Sequence, residues 1–337
     1  MEKIFVLTHV DESGTALAKA SLEAVSAAVE LAKSFSAELT IGLLGADVAQ
    51  AAAQLAGAAP KVLAVTGQAF AQPRYATDAA ACEALVKAAA PTIVLAPSTA
   101  RFARVMAGVA HRAGGAIDTH ITAVSPSLEA TRWFYRQRIE AVVKRERRPW
   151  FLLLDAGTHA AYSATGAAPA VEAVAVAAPA SRTTVAGTRS PQQGEQTIRP
   201  NAKLLFVAGA GWTKKQSDGQ VHAADAEKLI LGFLHAADAS LGSSKSLVDQ
   251  SGENQATLKF MTHLNQIGQT GATPRHAKGL STCCHGEEPH VVGWRFVNER
   301  RAINLDANCG WARGKADVVY LADAFQVMAK VNELLEK

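Results

Sequence analysis

The chain has 337 residues, of which 49% are apolar and 19% charged, with a formal charge of +4 and a pI near 8.9. This length exceeds one typical core and predicts two domains, and the composition is that of a globular rather than a disordered protein. The basic excess is small and no basic run is interleaved with aromatic residues, which excludes the usual pattern of a nucleic-acid binder. No apolar run reaches membrane-spanning length, which argues against an integral membrane protein.

In the first half, short aliphatic runs alternate with alanine-rich stretches. Apolar strands separated by long helices are typical of a parallel sheet covered on both faces. Trp133–Tyr135 and Trp150–Leu154 break this rhythm and are expected to be antiparallel additions. The predicted strands are Lys3–Val10, Glu38–Leu44, Lys61–Val65, Pro91–Ala96 and His120–Val124. The predicted helices are Gly14–Ser34, Ala46–Ala56, Thr77–Ala90 and Phe102–Ala113.

A second alternating pattern begins after Ala178–Pro200, whose Ser, Thr, Pro and Gln residues indicate a linker. We therefore predict an N-terminal, mostly parallel α/β domain over 1–178, a linker or crossover over 179–201, and a doubly wound parallel-sheet domain over 202–337. The predicted strands of the second domain are Lys203–Ala208, Gly279–Cys284 and Arg301–Asn304. Its predicted helices are Ala223–Ala236, Asn254–Leu264 and Ala322–Glu336.

Glycine-rich and polar segments follow the strands of this second domain. Open α/β sheets bind ligands at the carboxyl ends of their strands, so these segments predict a shared small-molecule site. Gln266–Gly271 combines two glycines, two amides and a hydroxyl, which suit close contact with a flat heteroaromatic ring. By itself each segment also fits plain turn chemistry. The other segments are Val207–Gly211, Ser244–Asp249, Cys283–His290 and Asn304–Asp306.

Together the segments resemble the electron transfer flavoprotein alpha subunit family, over nearly the whole chain. Ser244–Asp249 is similar to the family's Ser-Arg-Ala-Ala-Val-Asp, and Gln266–Gly271 to its Gln-Val-Gly-Gln-Thr-Gly. Ala302–Asn304 is similar to its Ala-Ile-Asn, and Ala322–Phe325 to the Gly-Asp-Leu-Phe before the last helix. All of these specific motifs lie in residues 201–337.

The resemblance implies an electron carrier rather than an enzyme, with FAD bound to the C-terminal domain. It also implies a heterodimer with an electron transfer flavoprotein beta subunit. A flavin dehydrogenase would be the electron donor, and a quinone-linked oxidoreductase the acceptor. The N-terminal sequence has no signal or transit character, so we expect a cytoplasmic protein.

The resemblance also assigns contacts. Thr270 lies at the position that hydrogen-bonds the flavin N5 edge, and His290 at the N1–C2 carbonyl region, where a donor or positive charge stabilises the reduced anion. Asn304 and Asp323 lie at the adenosine end. The cofactor-binding residues implied are Gly211, Ser244, Lys245, Ile267, Gly268, Gln269, Thr270, Gly271, His285, Gly286, His290, Asn304, Asp323 and Ala324.

The sequence also departs from the family. One family arginine falls on or near Gly211, so its charge is lost unless Lys214 or Lys215 reaches in, and a second arginine is Lys245. Lysine does not reproduce the forked donors of arginine. Compared with the usual spacing in the family, the chain has several extra residues around 214–222. These departures favour the alternative, a flavin-free nucleotide-binding or scaffold protein of the same fold.

Two further alternatives concern one short run. Cys283, Cys284, His285 and His290, with Cys309, suit a zinc site by ligand type, but the cysteines lack paired zinc-site spacing and adjacent strand residues point to opposite faces. A Cys284 nucleophile with a neighbouring histidine lacks an evident third orienting group. We therefore predict no metal site and no catalytic residue. Separately, the charged run 144–148 indicates an exposed turn, with docking to an acidic partner as the alternative.

Overall fold

The two halves of the chain form two compact units, Met1–Gly187 and Thr188–Lys337. A computed structural model of the protein describes residues 2–134, 139–187, 198–199, 202–249, 257–267, 273, 275–282, 297–306 and 316–336. About half of the predicted linker lies outside these residues, and its bounds at 179 and 201 stay a prediction.

The first unit contains a nine-stranded sheet. Its strands are β1 (Lys3–His9), β2 (Glu38–Gly45), β3 (Lys61–Thr66), β4 (Ile93–Pro97), β5 (Ala116–Val124), β6 (Ala130–Phe134), β7 (Ile139–Val143), β8 (Trp150–Leu154) and β9 (Ala170–Ala173). Its helices are α1 (Lys19–Phe35), α2 (Ala49–Ala53), α3 (Tyr75–Ala89), α4 (Ala100–Ala103) and α5 (Met106–Arg112).

The strand order is β7-β6-β5-β8-β4-β1-β2-β3-β9, and only the β5–β6 and β6–β7 pairs within the described sheet are antiparallel. Alternate residues of β1 enter two separate cores. Ile4 and Val6 pack with α1 on one face, and Phe5 and Leu7 pack with α3 and α5 on the other. The predicted α/β class, with a parallel sheet covered on both faces, is confirmed.

The prediction for Trp150–Leu154 is wrong. This strand, β8, lies inside the sheet and runs parallel to β4 and β5. All five of its residues are buried, and burial on both faces is typical of an interior parallel strand. The antiparallel prediction is confirmed only for Trp133 and Phe134, which lie in β6 and pair antiparallel with β7. Tyr135 lies outside the described residues. The helix predicted over Phe102–Ala113 is two short helices, α4 and α5.

The charged run 144–148 is anchored within the first unit. Arg145 Nε donates to Asp118 Oδ2 at 2.9 Å, and Arg148 Nη2 donates to Glu2 at 2.8 Å. Arg147 Nε donates to the Gly114 carbonyl oxygen at 2.7 Å. Three of its cationic side chains thus have partners in their own unit, which favours a structural turn over a docking surface.

The second unit contains a five-stranded sheet. Its strands are β10 (Leu204–Ala208), β11 (Ser240–Ser243), β12 (His276–Thr282), β13 (Val297–Asn304) and β14 (Val318–Leu321). Its helices are α6 (Ala223–Ala236), α7 (Lys245–Asp249) and α8 (Ala324–Leu335).

The strand order is β11-β10-β12-β13-β14, and all of these pairs are parallel. Helices α6 and α8 pack over a core that includes Phe206, Ile230 and Met328. The described helices of the chain are each too short or too polar to cross a membrane.

The helix predicted over Asn254–Leu264 is wrong in its described part. Residues 257–262 contain a turn at Lys259–Phe260 and no helix, and one 3₁₀ turn follows at His263–Asn265. The Thr262 hydroxyl accepts from Leu264 N at 3.2 Å, and Asn265 Oδ1 accepts from Thr262 N at 3.1 Å. Such local side-chain bonds compete with the helical backbone ladder.

Candidate functional site

The candidate site follows from the strand order of the second unit. In chain order the sheet runs 2-1-3-4-5, so the connections leave β10 toward opposite edges. Parallel sheets of this order bind ligands outside the carboxyl ends of the strands at that switch point. Gly209 N donates to the Thr282 carbonyl oxygen at 2.9 Å, and Ser244 N donates to the Ala208 carbonyl oxygen at 2.9 Å. The segments after β10, β11 and β12 therefore start side by side.

The turn after β10 contains Gly211, on or near which the resemblance places a family arginine. It is a buried 3₁₀ turn, Ala210–Thr213. The carbonyl oxygen of Gly211 accepts from Gln216 Nε2 at 3.0 Å. Lys215, one of the two candidate replacements for the arginine, is exposed, whereas Lys214 is half-buried.

Ser244 directly precedes the short helix α7 after β11, and Lys245 is the first residue of that helix. Ser244 is buried, and its hydroxyl accepts from Leu247 N at 3.3 Å. Lys245 forms an ion pair with Asp249 one turn later. Asp249 also lies 3.1 Å from His263 Nε2. The hydrogen bond from Lys245 is the largest cause that lowers the pKa of Asp249. Lys245 therefore already has an anionic partner.

Ile267 brings the start of the Gln266–Gly271 motif to the same edge. Its N–H donates to the Ser243 carbonyl oxygen at 3.1 Å, and Ile267 itself is only 2% exposed. A Cβ at Gly242 would lie 2.8 Å from Ile267 Cγ2, so only glycine permits this approach. The remaining motif residues, Gly268, Gln269, Thr270 and Gly271, lie outside the described residues.

Asn304 and Asp323 meet at the ends of β13 and β14. The Asn304 carbonyl oxygen accepts from Ala322 N at 3.1 Å, and Asp323 caps helix α8 by accepting from Gln326 N at 3.0 Å. Asn304 is 1% exposed, and its Nδ2 donates to the Asp306 carbonyl oxygen at 3.0 Å. Its Oδ1 is buried and has no hydrogen-bond donor in the described part of the chain.

A narrow cleft lies at this point, too tight in this structure to hold a water molecule, and Ala324 lines it together with the residues above. Because a buried acceptor without a donor costs free energy, Asn304 Oδ1 fits a ligand that supplies an O–H or N–H group. The lining residues are Gln216, Ile303, Asn304, Leu305, Ala322, Asp323 and Ala324.

The loop expected to face the flavin lies outside the described residues. This covers His285, Gly286 and His290, and also Cys283, Cys284 and Cys309. Within the described ranges, no cluster of three or more His, Cys, Asp or Glu side chains could hold a metal ion. The metal and nucleophile alternatives for this loop stay untested.

Sequence reasoning did not identify Gln216 as a residue of the cleft. The extra residues at 214–222 were the available signal, because an insertion directly after a glycine turn at a strand end must lie near the candidate site. The hydrogen bond that places Gln216 beside the Gly211 turn could not be deduced from composition.

The fold defines an α/β protein with one mostly parallel sheet and one all-parallel sheet, and the candidate site lies at the strand ends of the second. A model of the electron transfer flavoprotein domain matches residues 6–179, just over half of the 337 residues. The chain belongs to the electron transfer flavoprotein family, whose members carry electrons and associate with flavin, with other subunits and with redox partners. The matched residues lie in the first unit. No curated protein matches the chain.

Proposed function

We propose that this chain is the FAD-binding alpha subunit of an electron transfer flavoprotein. The observation that carries the proposal is the convergence of the predicted contacts at one edge of the second sheet. Gly211, Ser244 and Asp323 follow strands that end at that edge, and Asn304 is the last residue of such a strand. Ile267 joins the same edge through its backbone hydrogen bond to Ser243, the last residue of β11. Turns without a shared function would not be expected to converge at one edge in this way.

The described residues would hold the nucleotide end of the cofactor. Asn304 Oδ1 and the Asp323 carboxylate accept hydrogen bonds, so they suit the hydroxyl donors of a ribose. Ser244 would lie at a phosphate or ribityl contact. FAD, when bound, supplies the reversible uptake of electrons. The resemblance assigns contacts with the flavin ring to Gln269, Thr270 and His290.

We further propose that the chain works as a heterodimer with a beta subunit in the cytoplasm. In that complex it would receive electrons from a flavin dehydrogenase and deliver them to a quinone-linked oxidoreductase. Family membership supports the association with other subunits and redox partners in general. Copurification of the chain with a coexpressed beta subunit of the family tests the pairing. A chain that stays monomeric and fully loaded with FAD in the presence of that subunit would contradict it.

A flavin-free paralogue is the alternative, and one observation favours it. Lys245 replaces a family arginine and is paired with Asp249, while the other family arginine falls on or near Gly211. The site thus lacks two forked cationic donors that would face the cofactor in family members.

A visible absorption spectrum separates the two functions. The full chain is purified, incubated with excess FAD and separated from free ligand. The flavin that heat denaturation releases is then identified by chromatography. We expect a yellow protein that releases FAD and no FMN. A colourless protein after this reconstitution would support the flavin-free alternative.

A further inference from the structure

A cavity of about 130 Å³ lies in the first unit, at the amino ends of β1, β2 and β3 and beside the end of helix α3. A cavity of this order holds a molecule the size of benzene. Its apolar wall includes Phe5 and Leu63, and the small residues Ala88 and Ala89 border it on the helix side. There is therefore room for a small ligand between the sheet and the helix end.

Four polar side chains of these strands share the face of the sheet that α3 covers. Phe5, Leu44 and Leu63 pack with α3 in one core. Side chains alternate along a strand, so residues of the same strand at even spacing from these point to the same face. The polar residues at even spacing that line the cavity are Lys3, Glu38, Thr40 and Lys61.

The charged groups around the cavity are of both signs. Lys61 Nζ lies 3.2 Å from Glu172 Oε2, so its charge already has a partner. Lys3 and Glu38 are neighbours in the register of β1 and β2. Within the described residues, neither of these two side chains has an ion-pair partner. The cavity therefore offers one ammonium and one carboxylate to a ligand.

The end of α3 adds hydrogen-bond acceptors. The helix ends at Ala89, and Ala90 has a φ of 44° and donates its N–H to the Val86 carbonyl oxygen at 2.9 Å. The last carbonyl groups of a helix lack helical donors, and this end of the helix dipole favours a cation. Among the described residues, the hydroxyl of the buried Thr40 has no hydrogen-bond partner, and a hydroxyl can donate or accept.

These groups favour a ligand that carries both charges. An anion alone would face Glu38 and the negative end of α3. A cation alone would face the ammonium groups of Lys3 and Lys61. A zwitterion can direct its ammonium to the first set and its carboxylate to the second, so each charge meets an opposite one.

We propose that this cavity binds a small zwitterion, a free α-amino acid of the size of alanine. The ammonium group faces Glu38 and the carbonyl oxygens that end α3, and the carboxylate faces Lys3. The methyl group of alanine contacts the apolar wall of Phe5 and Leu63. This site lies in the first unit and uses none of the residues assigned to FAD, so it does not rest on the proposed function.

The experiment removes one charge at a time from the ligand and from the protein. Calorimetry measures binding of L-alanine, propionate and ethylamine to the full chain; the last two are alanine without its ammonium and without its carboxylate. The protein variants are Lys3→Met and Glu38→Gln. Glu12→Gln, at an exposed glutamate in the loop after β1, is the control. Circular dichroism checks that the variants are folded.

We expect the wild type to bind alanine more tightly than either analogue. Lys3→Met and Glu38→Gln should each weaken alanine by about two- to fivefold, the range of one exposed ion pair. Glu38→Gln should not weaken propionate and Lys3→Met should not weaken ethylamine, because the charge that each analogue lacks is the partner of the group removed. Glu12→Gln should change none of these affinities.

A wild type that binds no alanine, or binds all three compounds equally, would overturn the proposal. An equal loss of alanine affinity in Glu12→Gln would overturn it too, because the effect would then come from the overall charge. Ala88→Leu fills the cavity from an exposed position on α3 and should abolish alanine binding. Alanine affinity that survives Ala88→Leu unchanged would place the ligand elsewhere and contradict the site.

Discussion

The indole N–H of Trp212 donates a hydrogen bond of 2.8 Å to the hydroxyl oxygen of Thr282, and both side chains are buried. Thr282 in turn donates to the Val207 carbonyl oxygen at 3.3 Å. The Trp212 ring also packs against Phe325, with 4.6 Å between ring centroids. One side chain therefore joins the Gly211 turn to β12 and α8, the elements that border the candidate site.

Trp212→Phe should lower the free energy of unfolding by about 1–3 kcal/mol, because it removes this bond and leaves a small cavity. Urea unfolding followed by the remaining tryptophans measures the change. Trp133→Phe is the matched control, since its buried indole N–H has no acceptor in the described part of the chain. It should cost less than Trp212→Phe. Equal losses in the two variants would show that the Thr282 bond contributes nothing.

The buried His9 should make the stability of the protein depend on pH. The ring is buried, with Nδ1 bonded to the Val10 carbonyl oxygen and Nε2 to Thr99 Oγ1, both at 2.9 Å. Burial lowers the pKa of His9 to about 4. The unfolded chain binds this proton near pH ~6.5 and the folded chain does not. Stability from this group is therefore present above pH ~6.5 and falls as the pH drops toward 4, by about 3 kcal/mol at most.

His9→Gln should flatten the fall in unfolding free energy between pH 7 and pH 4, measured by urea denaturation at several pH values. His111→Gln, at an exposed histidine of α5, serves as the control and should keep the wild-type slope. A slope that survives His9→Gln unchanged would mean that His9 takes up its proton equally in both states.

Replacing only one member of the buried ion pair between Asp78 and Arg101 should lower the free energy of unfolding strongly. Arg101 donates to both carboxylate oxygens, at 3.1 and 2.7 Å, and Asp78 is fully buried. Arg101→Met leaves the carboxylate without its cation and should cost about 3–5 kcal/mol in unfolding free energy. The double variant with Asp78→Leu should recover part of this loss. Arg112→Met, which breaks a more exposed pair with Glu83, should cost less than about 1 kcal/mol.

A loss below about 1 kcal/mol in Arg101→Met would contradict this account of the pair. A double variant that is as unstable as the sum of the two single variants would contradict it as well, because partners in one interaction are not additive.

Local patterns in the sequence were sufficient to predict the bounds of an element where the helix or strand is regular. The helix over Ala223–Ala236 has the predicted bounds, because its apolar spacing continues without interruption. Trp150–Leu154 was misplaced because an isolated apolar strand carries no information on its neighbours. Its position between β4 and β5 depends on pairing with distant residues.

For the candidate site too, local sequence predicts some features, whereas others depend on contacts between distant residues. The sequence placed Ser244 and Asn304 after strands, and parallel pairing brings those strand ends to one edge. The contact between Gln216 and the Gly211 turn was not foreseeable. It depends on how residues 214–222 fold back to that turn, and polar loop residues carry no periodic signal for such a contact.

The central claim, that FAD binds at the strand ends of the second unit, is tested most directly by titrating the full chain with FAD in three forms. These are the wild type, Asn304→Leu and Asn298→Leu, the last at the exposed, opposite end of the same strand. We expect the wild type and Asn298→Leu to bind about one FAD per chain with equal affinity. Asn304→Leu should bind FAD about five- to 150-fold more weakly, since the loss of a buried hydrogen bond costs about 1–3 kcal/mol. Equal FAD affinity in Asn304→Leu and the wild type would contradict the claim.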